Sequence, residues 1–196
     1  MKLFWAALSG VLCTAHISFA EPRVTYNAYG MPGLVDIPSA QSAPDAELSF
    51  SVSQSGKSLR NTLTFQIAPR LTGAFRYSSI ERPTQTLYDR SFDLRYRLLD
   101  ETQLRPAVAV GLQDFIGTGV YSGEYVAASK TFGPVVATAG IGWGRLGSHN
   151  SFDNPLGLIS SRFDTRDAGF TGTGGASNRR AGFAVQRPFL PALLGQ

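Results

Sequence analysis

The chain has 196 residues, of which 43% are hydrophobic and 16% are charged, and its formal net charge is +4. The basic residues are scattered singly, which argues against nucleic-acid binding, because that function needs clustered positive charge. Beyond the first 20 residues, no apolar stretch approaches the 20 or so residues that a membrane-spanning helix requires. Twenty-one glycines favour β structure with many turns over a helical protein.

The first 20 residues have the pattern of a secretory signal peptide. Lys2 supplies a positive charge, an apolar run follows as far as Ile17, and small residues occupy positions 18 and 20. We therefore expect export through the Sec pathway, cleavage after Ala20 and a mature chain that begins at Glu21.

Cys13 is the single cysteine of the chain. A lipid-attachment site normally has a small residue before the cysteine, whereas Leu12 stands there. We therefore interpret Cys13 as part of the discarded signal. The mature chain then has no thiol for disulfide or thiolate chemistry.

Residues 21–45 carry turn signals rather than strand periodicity. Gly30, Gly33 and Pro38 favour tight backbone turns, because glycine permits positive φ and proline restricts φ. This segment is predicted either to lead into the first strand from the periplasmic side or to pack as a small plug within a lumen. A plain linker is a third interpretation.

Seven segments within residues 46–145 alternate apolar and polar side chains, as strands with one apolar and one polar face do. In the clearest example, Leu63, Phe65 and Ile67 alternate with polar residues at 62, 64 and 66. The predicted strands are 46–54, the two arms of a hairpin over 59–77 that turns at 68–70, 88–98, 103–113, 121–131 and 135–145.

The lengths of the connections also alternate. Turns at Pro69, Asp100 and Gly133 are tight, whereas the connections near Pro83 and Gly117 are longer. Strands of about ten residues with such asymmetric connections are typical of an outer-membrane barrel. Aromatic residues near the strand ends either form part of an interfacial girdle or merely reflect strand propensity; they are Tyr77, Tyr88, Tyr121, Tyr125 and Trp143.

The tail at residues 146–196 loses regular alternation and contains a weak strand signal only at 182–186. Seven strands do not close a bacterial barrel, which has an even strand number. The tail therefore supplies an eighth strand, or the chain is the N-terminal portion of a larger barrel.

The polar strand faces provide the candidate functional residues. We predict that seven of them line a polar lumen: Arg60, Arg76, Asp89, Asp93, Arg95, Arg97 and Arg105. The two aspartates are expected to form ion pairs or hydrogen bonds with the arginines close to them on the same strand, Arg95 and Arg97.

Catalytic and cofactor chemistry is weakly indicated. Asp89, Asp93, Asp114 and Glu124 are carboxylates of the kind that glycoside hydrolases use in pairs, but sequence does not supply their separation. His149 is alone in the mature chain, which predicts neither a triad nor a metal site. Residues 114–119 lack the Gly-Lys-Ser/Thr ending of a phosphate-binding loop. We predict a non-enzyme without cofactor or metal.

Several long motifs occur together in the chain. They are YGMPGLVDIPSA at 29–40, LTFQI at 63–67, RYS at 76–78, YDRSFDLRYRL at 88–98, AVAVGLQDFIGTG at 107–119, EYVAASK at 124–130 and GWGRLG at 142–147. In this combination, which covers roughly residues 24–157, the chain resembles the YjbH-like exopolysaccharide proteins.

The resemblance implies an outer-membrane β-barrel protein associated with the production or export of exopolysaccharide, with no established catalytic activity. It also implies a longer protein, so that an end at Gln196 is expected to reflect a truncated or frameshifted gene product. The partners implied are outer-membrane lipid, the polysaccharide and other export components.

We therefore predict an all-β fold, an antiparallel transmembrane barrel built from a meander of hairpins. The alternative is a secreted, soluble β-sandwich that binds carbohydrate, because a sandwich also has strands with one buried face. A third class, an enzyme acting on polysaccharide, predicts turnover that depends on a particular carboxylate.

Overall fold

The computed structural model describes residues 24–147, 152–163 and 182–186. The predictions for the signal peptide and Cys13 lie outside these residues, as does His149. Among the described residues, no helix has the length and apolar character needed to cross a bilayer.

The described residues form ten strands and two short 3-10 helices, at Pro155–Leu158 and Ser161–Phe163. The strands are β1 (Gly33–Leu34), β2 (Ile37–Pro38), β3 (Leu48–Ser55), β4 (Ser58–Ala68), β5 (Leu71–Ile80), β6 (Leu87–Leu99), β7 (Ala107–Gly117), β8 (Gly123–Phe132), β9 (Val135–Gly144) and β10 (Gly182–Gln186).

Eight of these strands form one antiparallel sheet. Strands β3 to β9 follow one another as a meander, and β10 pairs with the far side of β9. Strands β3 and β10 are thus the two edges of the described sheet, while β1 and β2 pair separately as a small hairpin. The antiparallel all-β prediction is confirmed, and so is the weak strand signal at 182–186.

The predicted strand at 103–113 was placed too early. Strand β7 begins only at Ala107, because residues 102–105 form a turn in which the Thr102 amide donates to the Arg105 carbonyl at 2.9 Å. Leu104, an apolar residue within the predicted strand, is almost fully exposed in this turn. At its other end the strand continues past Gln113 to Gly117.

The two faces of the sheet differ sharply in polarity, and the enclosed face is the polar one. Arg76 and Arg95 are fully buried, whereas Phe50 is 67% exposed and Leu63 is 44% exposed. Burial alternates along β4, with the polar members inside and the apolar members outside. This is the reverse of the usual arrangement in a water-soluble protein, where apolar side chains fill the interior.

The sheet curls around the segment that precedes it. Residues of this segment make hydrogen bonds to β3 (Ser53), β4 (Thr64), β5 (Arg76) and β8 (Ser129), four strands spread across the sheet. The single ring of Tyr29 is contacted by Arg60 of β4 at 4.5 Å and by Arg145, just after β9, at 3.8 Å. Because β4 and β9 are five positions apart in the sheet and would lie roughly 24 Å apart if it were flat, the sheet is bent into a trough. The enclosed face is therefore concave, and residues 24–46, termed here the inner segment, lie in the trough.

Candidate functional site

The candidate functional site is the polar concave face together with the inner segment. Five of the seven predicted lumen residues lie buried on this face, namely Arg60, Arg76, Asp89, Asp93 and Arg95. The other two lie at the rim formed by the tight turns. There Arg97 forms an ion pair with Asp100 at 3.0 Å, and Arg105 is exposed just before β7.

Arg76 is the centre of the hydrogen-bond network. Its Nη2 pairs with Asp93 Oδ2, its Nη1 donates to Ser91 Oγ at 3.2 Å and its Nε donates to the Tyr29 carbonyl at 3.2 Å. Asp93 in turn accepts a hydrogen bond from the Asp114 amide at 2.8 Å. The network therefore joins β5, β6, β7 and the inner segment.

The expected pairing of Asp93 with an arginine of its own strand is wrong. Its partner Arg76 comes from the adjacent strand and lies diagonally across from it, because Asp93 faces Ala74 and Arg76 faces Ser91. Diagonal neighbours of this kind are about 7–8 Å apart, which the long arginine side chain spans. Arg95 instead donates to Ser42 Oγ of the inner segment at 3.0 Å.

Two tyrosine rings and three guanidinium groups pack together above this network. Tyr29 and Tyr121 meet edge to face with centroids 5.4 Å apart. The guanidinium carbons of Arg60 and Arg145 lie 4.5 Å and 3.8 Å from the Tyr29 centroid, and that of Arg76 lies 5.2 Å from it. Such contacts stabilise cations that have left water.

The arginines of this cluster are incompletely satisfied by hydrogen bonds. Among the described residues, Arg60 Nε and Nη1 have no acceptor, although the side chain is buried. Arg145 donates to Gln113 Oε1 at 2.9 Å, a neutral acceptor. Burial, together with the nearby Arg76 and Arg60, lowers the pKa of Arg145, while Tyr29 and Asp36 act in the opposite direction.

The inner segment approaches the sheet closely at Gly30. This residue has φ of +78°, and a Cβ added to it would fall 2.5 Å from the Cβ of Thr62. Thr64 Oγ1 donates to the Gly30 carbonyl at 2.6 Å. The turn signal at this glycine therefore has two physical causes, a left-handed backbone and the absence of room for a side chain.

Small side chains on β7, β8 and β9 make room for the rest of the inner segment. The concave positions of these strands include Ala107, Ala109, Ala127 and Gly140. Here the Ala40 amide donates to Ser129 Oγ at 2.9 Å. A cleft of about 220 Å³ remains between the β1–β2 hairpin and β8–β9.

Tyr26 bonds the beginning of the inner segment to the sheet. Its hydroxyl donates to Glu47 Oε1 at 2.8 Å and accepts from Ser49 Oγ at 2.8 Å. Burial raises the pKa of Tyr26. This contact ties the start of the inner segment to the start of β3.

Of the four carboxylates considered for glycoside hydrolysis, only Glu124 lies apart from the others, whereas Asp114 lies close to both Asp93 and Asp89. Glu124 lies on the convex face of the sheet, whereas Asp93 lies on the concave face. Glu124 accepts a hydrogen bond from Asn154 Nδ2 at 2.8 Å. Asp89 accepts from Thr118 Oγ1, and Asp114 Oδ2 accepts from the Tyr121 amide at 2.9 Å. Within the described residues, no group of three or more His, Cys, Asp or Glu residues is arranged to hold a metal.

The aromatic residues proposed for a girdle do not form one continuous band. Tyr77 and Tyr88 stack at 6.1 Å near the loop ends of β5 and β6, and Tyr88 is exposed. By contrast, Tyr121 and Tyr125 are buried on the concave side. Trp143 is buried on the convex side, where the ring of Phe152 covers it at 5.6 Å.

The comparisons with known proteins identify the family. The family model described as "Exopolysaccharide biosynthesis protein YbjH" matches residues 25–189 of the chain. The chain belongs to the YjbH exopolysaccharide biosynthesis family. The resemblance inferred from the motifs is thereby confirmed, and the matched region extends beyond the motifs that suggested it.

One curated relative of this YjbH-family chain is the "Uncharacterized lipoprotein YjbH" of Escherichia coli (strain K12). The two are 34% identical over 185 residues, which is 85% of this chain and 26% of the relative. The chain thus spans about a quarter of the length of that relative. No solved structure matches the chain.

Sequence reasoning missed three members of the site. Tyr29 and Arg145 lie outside the predicted strands or at their very end, and for Tyr121 the sequence predicts either a girdle position or ordinary strand propensity. Their meeting depends on contacts between Tyr29 and residues 92 and 116 positions further along the chain, for which a single sequence carries no periodic signal. The glycine after Tyr29, within the turn motif, is the one local hint that the backbone is held close to something.

Proposed function

We propose that this YjbH-family chain is an outer-membrane β-barrel protein, or the N-terminal portion of one, that takes part in producing or exporting exopolysaccharide without catalysing a reaction. Its apolar strand faces contact lipid, and its polar concave face belongs to the lumen. It reaches the outer membrane through the Sec pathway.

The observation that carries the membrane proposal is the inverted polarity of the curled sheet. Burying a Leu or Phe side chain away from water is worth about 1.5–3 kcal/mol. Strand β3 leaves Leu48, Phe50 and Val52 exposed on its convex face, and β4 to β6 continue this apolar surface. Contact with lipid hydrocarbon is energetically favourable for such an apolar surface, whereas contact with water is unfavourable.

The competing β-sandwich needs a second sheet to bury one face. In the described residues, the second sheet has only the two strands β1 and β2. The enclosed face carries arginines and aspartates. Charged side chains are costly to bury in the apolar core between the two sheets of a sandwich. These features favour the barrel over the soluble carbohydrate-binding alternative.

The polar interior suits contact with a hydroxyl-rich or acidic polymer. Arginine forks match carboxylates, and Ser and Thr hydroxyls both donate and accept hydrogen bonds. Arg60 retains donors without acceptors in the described residues, next to two aromatic rings. Family membership supports exopolysaccharide as the polymer, and the relative's printed description as a lipoprotein supports a position in the cell envelope.

The test of the membrane proposal uses single cysteines carrying spin labels, placed in a Cys13→Ser background and reconstituted in lipid vesicles. Phe65→Cys reports the convex face, and Thr64→Cys is the matched control, one residue away on the concave face. We expect the label at 65 to be accessible to oxygen and shielded from a water-soluble nickel chelate. An aqueous environment at 65, in a protein soluble without detergent, would overturn the proposal.

The test of the physiological role is the amount of polymer released by cells. Deleting the gene should lower extracellular polysaccharide, and the wild-type chain should restore it. Unchanged polysaccharide after deletion would contradict the proposed role. Release of sugar products by the purified protein would contradict the proposal that it is not an enzyme.

A further inference from the structure

A short segment after β9 lies on the outside of the sheet. It comprises residues 152–163, termed here the outer segment, with its two 3-10 helices. Asn154 caps the first helix, because its Oδ1 accepts a hydrogen bond from the Leu156 amide at 3.0 Å. The backbone is therefore held in a defined turn rather than left extended.

Two contacts fix the outer segment to the convex face near the loop ends of β8 and β9. Asn154 Nδ2 donates to Glu124 Oε2 at 2.8 Å, and the Phe152 ring meets Trp143 edge to face. Glu124 and Trp143 face each other across β8 and β9 on the same side of the sheet. That side is opposite Tyr125, which is buried in the trough.

The outer segment covers Glu124, a charged residue of the convex face. Glu124 is a carboxylate on a face that is otherwise largely apolar, and transfer of a carboxylate from water into hydrocarbon is costly. Glu124 and Asn154 are both buried in the structure. The outer segment thus supplies a hydrogen-bond donor and shields the carboxylate from its surroundings.

The other side of the outer segment is strongly apolar and exposed. Leu158 is 94% exposed and Ile159 is 78% exposed, and the two are adjacent in sequence at the end of the first 3-10 helix. Neither side chain serves the packing of the segment onto the sheet. The segment that carries them is attached to the convex face, whose exposed side chains on β3 to β6 are also apolar.

We propose that the outer segment is a membrane-interface anchor, in which Leu158 and Ile159 insert among lipid acyl chains beside β8 and β9. The inference rests on the proposed membrane barrel and adds a second lipid contact outside its strands. Amphipathic segments of this kind lie in the interface with their apolar side chains in the acyl region.

The test places a spin label at Leu158→Cys and compares it with labels at Phe65→Cys and Lys57→Cys in the same vesicles. Lys57 is exposed in the β3–β4 turn and provides the aqueous reference. We expect the label at 158 to resemble the label at 65, which is the hydrocarbon reference. It should have high accessibility to oxygen and low accessibility to the nickel chelate. Leu158 is almost fully exposed, so this substitution leaves the packing of the protein intact.

Two failures are distinguishable. If the label at 158 is as aqueous as that at 57 while the label at 65 is in hydrocarbon, the anchor is overturned and the barrel stands. If the label at 65 is aqueous too, the proposed barrel itself fails, and the anchor fails with it.

A second variant tests whether Asn154 holds the anchor in place. Asn154→Asp sets a carboxylate against Glu124, and like charges at this distance repel. We expect the label at 158 to lose its membrane protection while that at 65 keeps its own. Unchanged protection at 158 would show that the contact with Glu124 does not position the segment.

Discussion

Arg76 and Asp93 form a fully buried ion pair between adjacent strands of the sheet. Each partner also binds the backbone of another element, Arg76 at the Tyr29 carbonyl and Asp93 at the Asp114 amide. The pair therefore connects the inner segment to the wall that surrounds it.

Removing one partner of this pair should be strongly destabilising. We expect Arg76→Leu to lower the free energy of unfolding by about 3–5 kcal/mol, because Asp93 is left buried without its cation. The double variant Arg76→Leu/Asp93→Leu should recover part of that loss. Urea unfolding of the refolded protein in detergent measures both.

The matched control for the buried pair is Arg70→Gln, which removes the exposed ion pair with Asp100. Exposed pairs contribute little, so we expect a change within about 1 kcal/mol. Equal losses for Arg76→Leu and Arg70→Gln would contradict the structural importance assigned to the buried pair.

Gly30 should tolerate no side chain. In Gly30→Ala the new Cβ clashes with Thr62 and Ser51, and the positive φ of this position is unfavourable for alanine. We therefore expect the inner segment to separate from the sheet. Hydrogen exchange of amides in residues 26–40 measures this release. Gly56→Ala is the control, since Gly56 also has positive φ but nothing lies within 4 Å of its added Cβ. Faster exchange of residues 26–40 in both variants would attribute the effect to backbone conformation alone.

Glu101 should make stability depend on pH in acid. A hydrogen bond from Lys130, with further bonds from Thr131, holds the pKa of Glu101 below its usual 4.5. A lowered pKa in the folded state stabilises the protein above the unfolded-state pKa, and this contribution disappears as pH falls through the folded-state value.

The difference in stability between wild type and Glu101→Gln should therefore shrink as the pH drops below 4.5. We expect it to be no more than about 1 kcal/mol near neutral pH, because the pair is solvent-exposed. Denaturant unfolding of both proteins across this range measures the difference. A gap that stays constant or widens in acid would refute the assignment.

Processing of the N-terminus should occur after Ala20. Mass spectrometry of the exported protein is expected to find Glu21 as the first residue, and Cys13→Ser should leave its membrane association unchanged. The alternative is lipid attachment at Cys13, and the relative from Escherichia coli is described as a lipoprotein. A fatty-acylated peptide that begins at Cys13 would replace the cleavage site proposed here.

Much of the strand content was predictable because strand periodicity is local. Each residue along β4 or β6 faces the side opposite to its neighbour, so the order of Leu63, Thr64 and Phe65 already distinguishes two faces. Errors arose where a local turn overrode the pattern, as at Leu104. There Pro106 and the turn at residues 102–105 delay the start of β7.

The residues of the site were less predictable, because cross-strand and long-range contacts decide them. The partner of Asp93 depends on the register between β5 and β6, which periodicity within one strand does not contain. Tyr121 has the same sequence signature whether it faces lipid or Tyr29. The inner segment decides its position, because Tyr29 of that segment packs against the Tyr121 ring on the concave side.

The sequence by itself determined that most of the chain forms antiparallel strands with one apolar and one polar face, and its motifs indicated the family. It left open which face is enclosed, since a two-residue period is identical in a sandwich and in a barrel. The tertiary structure decided this by curling the sheet so that Arg76 and Asp93 are inside and Phe50 and Leu63 are outside. The reason is physical: enclosure is a property of the whole sheet and of the segment within it, whereas alternation is a property of each strand alone.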